Sequence, residues 1–155
     1  MEVMRQAMLY VILVAAFYGV VLAMKALSRV QVPSGYTDVE NLAEYTSYRL
    51  DQTVAFSAWK PGDALCWRLG PEAEQAVNFG WVAGLPGDRV QVRDGHLEVN
   101  GQRHSKGDQI QLPDCGPIRV PAQHLFVIND LHQGDSIAVG PLPSSALRGR
   151  MGSLP

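Results

Sequence analysis

Two groups of side chains could carry nucleophilic chemistry. Ser34 precedes Gly35, and Lys60 precedes Pro61-Gly62-Asp63. A serine hydroxyl is a weak nucleophile until a neighbour accepts its proton. A lysine can accept it once burial in an apolar site lowers its pKa toward working pH. Lys60, however, occupies a loop position of the kind normally solvated. His132, Asp135 and Ser136 form the second group. These are acyl-transfer residue types, but within five residues their side chains need not converge. In a Gly-containing loop a His and an Asp are more often turn formers. His96, His104 and His124 read most simply as surface or hairpin residues. Cys66 and Cys115 are too few for a disulfide framework. Outside the cytoplasm they could form one bridge, provided their Cα atoms come within bonding range. The chain has no C-x-x-C and no spaced Cys/His cluster, so neither a metal nor another cofactor is expected.

The elements that must position these residues begin with an apolar segment. Ala7–Met24 is an uncharged run bounded by Arg5 and Lys25. At helical rise it spans roughly 27 Å, close to the thickness of a bilayer hydrocarbon core. A cleaved signal peptide is a rival reading, but its apolar stretch is shorter and ends in a small-x-small site, for which Leu22-Ala23-Met24-Lys25 is a poor match. A buried soluble helix is another, but this run is apolar on every face. The sequence therefore predicts a retained single-pass anchor over 1–29 and one β-domain over 30–155. Arg5 on one side and Lys25 with Arg29 on the other leave the positive-inside count nearly balanced.

The chain has 155 residues, a net charge of -2 and a pI near 6.0. That is enough for one domain with a real core. No basic stripe is evident, so nucleic acid is a poor partner. All ten prolines follow residue 30, as expected of short strands and turns. The clearest element is a hairpin, in which alternating Arg89–Arg93 and His96–Asn100 flank Asp94-Gly95, a type I′ turn pair. Asn100-Gly101 signals a second turn. Further strands are predicted over Ala64–Leu69, Phe79–Ala83, Ile118–Val120 and Leu125–Asn129. Thr37-Asp38-Val39-Glu40 has the form of a capping box. With Val39, Leu42, Ala43 and Thr46 at helical spacing, it predicts a short helix before Leu50.

Three stretches, in order, resemble the type I signal peptidase family. The first is Val30-Gln31-Val32-Pro33-Ser34-Gly35. The second joins Lys60-Pro61-Gly62-Asp63 to Trp81-Val82-Ala83-Gly84-Leu85-Pro86-Gly87-Asp88 and the following hairpin. The third runs from Val120-Pro121 through Asn129-Asp130 and Asp135-Ser136 to Arg150. The resemblance implies a mostly β protein: an N-terminal transmembrane helix, then a signal-peptidase-like β-domain with a short helix. It also implies a place in the cytoplasmic (inner) membrane, with the C-terminal domain on the outer or periplasmic side.

The same resemblance implies a Ser nucleophile and a neutral Lys base, and this chain departs at both. The nucleophile position is Tyr36 and the base position is Gly80. The Arg expected after Asp135-Ser136 is Ile137. Tyrosine is a bulky, poor acyl acceptor, and glycine has no side chain to act as base. Ser34 matches the hydroxyl that helps stabilise an oxyanion; its plainer reading is a turn serine. By resemblance, Val32, Pro33, Ser34 and Val82 line a groove that takes extended peptide by β-addition. The expected function is thus a non-catalytic pseudoprotease that binds peptide or protein partners of the envelope. Alternatively, it is a subunit of a larger membrane complex, or an active signal peptidase with a relocated dyad.

Overall fold

A computed structural model describes residues 2–26, 28–36, 46–70, 77–105, 108 and 110–152; side chains of its first helix are described from 6 to 22. That helix, α1 (Glu2–Ala26), draws on the Ala, Leu and Met of its uncharged run, strong helix formers that outweigh Gly19 and the β-branched residues among them. Its described large apolar side chains face solvent, Phe17 at 73% exposure. Among the described residues no helix is long and apolar enough to cross a membrane.

The rest is antiparallel β-structure. The strands are β1 (Arg29–Gln31), β2 (Ser47–Asp51), β3 (Ala64–Trp67), β4 (Asn78–Gly84), β5 (Arg89–Arg93), β6 (His96–Val99), β7 (Gln102–Arg103), β8 (Cys115–Arg119), β9 (His124–Ile128), β10 (Leu142–Pro143) and β11 (Leu147–Gly152). Seven of them form one sheet in the order β1-β2-β11-β3-β4-β9-β10, and four form a second in the order β7-β6-β5-β8. A four-residue helix, α2 (Ser136–Val139), follows β9.

Strands β4 and β9 are apolar on both faces because both faces are covered. Trp81, Ala83, Phe126 and Ile128 turn toward the second sheet and meet Val90, Val92 and Leu97. On the opposite face, Val82, Leu125 and Val127 pack with Leu65, Trp67 and Trp59. A third cluster joins Val32, Tyr36, Tyr48, Leu50, Cys66, Phe79 and Met151.

The Asp94-Gly95 hairpin forms in the expected register, Val90 opposite Val99 and Val92 opposite Leu97. Asp94 and Gly95 both take positive φ, at 52° and 76°. The Gly84–Asp88 turn is held by Asp88, whose carboxylate accepts the Leu85 N–H at 2.7 Å and the Asn100 Nδ2 at 2.8 Å. Gly84 allows close packing, since a Cβ there would lie 2.7 Å from Val90 Cγ2.

The helix expected from Thr37 falls on 37–45, outside the described residues. Its far end does not continue as helix, because 47–51 is strand β2. There Tyr48 and Leu50 are buried alternately with exposed Arg49, a period of two, and the strand pairs with β1 and β11.

Candidate functional site

The turn at 33–36 carries the residues singled out at the start. Val32 leads into it fully buried, while Pro33, Ser34 and Gly35 are exposed. Tyr36 is buried again at 6% exposure. Its ring meets Phe79 edge-on, with centroids 5.4 Å apart. Burial pushes the phenol pKa up and the Asp130 charge adds to that, while a backbone hydrogen bond with Phe79 opposes it. Position 36 thus presents a neutral, buried ring. The loop after β9 closes over the same turn, with Leu131 Cδ2 3.6 Å from where a Cβ on Gly35 would stand.

Gly80 follows Phe79 on β4, so the two positions face opposite sides of the sheet. Tyr36 therefore covers Phe79, not Gly80. The space at position 80 belongs to other groups. A Cβ built there would lie 2.2 Å from the Ile128 carbonyl oxygen and 3.0 Å from Trp67 Cη2. Trp67 is fully buried, and its indole N–H donates to the Gly134 carbonyl at 2.8 Å. No side chain of any kind fits position 80 without moving the backbone of β9.

Lys60 lies in the turn that leads into β3. Its backbone N–H donates to Asp63 Oδ2 at 3.0 Å within the Lys60–Asp63 turn, and its side chain is exposed. Among the described residues no hydrogen bond joins it to Ser34.

His132, Asp135 and Ser136 do come together, but in structural roles. Asp135 is fully buried and caps α2, its Oδ1 accepting from the Ile137 and Ala138 N–H groups at 3.1 and 3.0 Å. Ser136 is also fully buried, and its Oγ accepts the Val127 N–H at 2.8 Å. His132 Nε2 lies 3.0 Å from the Gln111 carbonyl, and Nδ1 lies 3.5 Å from Asp135 Oδ2. A hydroxyl with no exposure cannot reach an acyl carbon, so this group fastens the loop to β9.

The groove expected from Val32, Pro33, Ser34 and Val82 divides. Pro33 and Ser34 are exposed, whereas the side chains of Val32 and Val82 are fully buried in two separate clusters. Any peptide contact at those two positions would have to be through backbone. Cys66 and Cys115 are unbridged. Cys66 sits in the cluster around Tyr36, and Cys115 packs against the cluster between the sheets.

Sequence reasoning missed Trp67 as the occupant of position 80. A strand buried on both faces shows no alternation that would have revealed its direction. It also missed the approach of Asp130 and Leu131 to the 33–36 turn, which only the tertiary fold creates.

This mostly β scaffold, with its exposed Ser34 turn beside β4, is of the signal-peptidase class. The model of the family described as signal peptidase, peptidase S26, matches residues 2–154, and the chain belongs to that family. A signal peptidase I from Enterococcus faecalis V583 is similar in structure. It is 18% identical, covers 60% of this chain and 96% of its own, and superposes with a TM-score of 0.47. No curated protein matches the chain.

Proposed function

We propose that this family member does not cleave peptides and acts as a membrane-anchored binding protein for peptide or protein partners of the envelope. The observation that carries the reading is the occupied space at position 80, where a Cβ would stand 2.2 Å from the Ile128 carbonyl. A base there requires a different backbone, not a different side chain. The buried Tyr36 supports the same reading, since burial raises its phenol pKa and keeps it neutral.

The anchor in this reading is α1. It rests on the sequence, where the uncharged run Ala7–Met24 extends past the described side chains and is long enough to suit a bilayer. The β-domain then lies on the outer side of the cytoplasmic membrane, where the exposed Pro33-Ser34 turn presents one hydroxyl to an extended chain.

The test is cleavage of a signal-peptide reporter by the purified full chain, beside an active signal peptidase. No product is expected from this chain. Cleavage abolished by Ser34→Ala or Lys60→Ala would establish a working peptidase with relocated residues instead. Stoichiometric recovery with one complex in mild detergent would favour an accessory subunit over transient client binding.

A further inference from the structure

The outer face of the four-stranded sheet gathers arginines that are far apart in sequence. Val90 and Val92 point to the core, so Arg89, Gln91 and Arg93 point outward from β5. Arg119 on β8 stands directly opposite Arg89, and residues directly opposite share a face. His96 and Glu98 on β6 stand opposite Arg93 and Gln91, and Arg103 on β7 stands opposite Glu98. The strands of this face thus carry four arginines and one carboxylate, and a second carboxylate, Asp108, reaches it beside His96 and Arg103.

Two of these charges are satisfied internally. Arg103 pairs with Asp108 at 2.8 Å. Glu98 is engaged by the side-chain amide of Gln91. Arg89, Arg93 and Arg119 have no carboxylate partner among the described residues, although two of them oppose each other across the β5–β8 pair. Like charges directly opposite are destabilising, and the chain as a whole is acidic. A groove of about 500 Å³ runs along β5 on this face, lined by Arg89, Gln91, Arg93, Asn100 and Gly101, with Arg119 flanking it on β8.

We propose that this groove docks an extended acidic segment of a partner protein. Arg89 and Arg93 are four strand residues apart, roughly 13 Å. Carboxylates four residues apart on one side of an extended chain span the same interval. Arginine pairs with each in bidentate geometry, while Gln91 and Asn100 are already held by Glu98 and Asp88 and line the groove between them. A groove suits a chain better than it suits the flat surface of a bilayer. The inference does not depend on whether the 33–36 turn is catalytic.

The experiment uses the full chain in neutral-lipid nanodiscs and a fluorescent peptide alternating Glu and Thr. Binding by anisotropy is expected at low salt and should weaken by about tenfold or more at high salt. The Arg89→Glu/Arg93→Glu/Arg119→Glu variant should lose about tenfold or more in affinity, while Arg49→Glu, on the other sheet, should not. A Gln/Thr peptide should not bind. Thermal melting separates folding from binding, because Arg119→Glu alone should raise Tm while it weakens the peptide. No binding by the wild type, or equal binding by the triple variant, overturns the proposal. So does hydrogen-exchange protection of 89–93 and 115–119 by phosphatidylglycerol nanodiscs without peptide binding, which would make the face a lipid surface.

Discussion

Replacing Gly80 by alanine adds one carbon atom 2.2 Å from the Ile128 carbonyl oxygen. Overpacking of that kind typically costs about 1–3 kcal/mol, and here the neighbour is backbone, which yields least. Denaturant unfolding of Gly80→Ala should show a loss at or above the top of that range. It follows that Tyr36→Ser/Gly80→Lys, which restores the family's residue types, should unfold more easily than the wild type and still fail to cleave a reporter. Cys66 gives a second prediction at this scale. Burial pushes its thiol up from 9.0 to about 12, with Arg148 and Arg68 pulling the other way. The unfolded chain ionises first, so between pH 9 and 12 the folded state binds more protons and stability falls as pH rises. The slope from this one group is about 1.4 kcal/mol per pH unit at most. Its stabilising effect is fully present below pH 9. Stability measured against pH should therefore fall less steeply in this window for Cys66→Ala than for the wild type.

Turns and strand pairs were the elements most readable in advance, because their signals are local. Asp94-Gly95 between two alternating segments leaves few structures other than a hairpin, and the register followed from keeping Val90, Val92, Leu97 and Val99 on one face. The 47–51 strand was not readable in this way, since a helical spacing ahead of it masked the period of two at Tyr48 and Leu50. Side-chain direction in β3 was equally hidden, so Trp67 could not be placed against Gly80. Nor could the arginine face be seen, because it depends on which strand lies beside β5, and β8 comes 22 residues after β5 ends. Two element-scale outcomes follow. Asp88→Ala removes the acceptor of both the Leu85 N–H and the Asn100 amide. It should cost about 1–3 kcal/mol and loosen exchange protection across both the turn and the hairpin. Arg119→Gln removes a like-charge neighbour of Arg89 and should stabilise the domain by about 0.2–1 kcal/mol, more at low salt than at high.

At the scale of the whole molecule, family membership answers which scaffold the chain uses, while the occupied position 80 bears on what that scaffold still does. Order of motifs made the scaffold legible: the Ser34 turn, the Gly84–Asp88 turn and the Asp135-Ser136 loop recur along the chain in family order. The apolar helix and the β-domain are joined sparingly, with α1 meeting the domain chiefly at β2. The three buried clusters draw on residues from Val32 onward and on none of the described side chains of α1. A domain whose core excludes the helix should fold without it. Removal of 1–29 also removes β1 from Arg29 onward only in part, since Val30 and Gln31 still pair with Tyr48 and Ser47. The truncated chain should therefore stay soluble without detergent and melt cooperatively, within a few degrees of the full chain. If α1 is the anchor proposed above, the full chain should instead sediment with membranes and resist alkaline carbonate extraction, its exposed apolar side chains being covered by lipid and not by the domain. Release of the full chain by carbonate would remove the anchor from the proposed function. A truncated chain that aggregates would show that α1 packs against the domain it precedes.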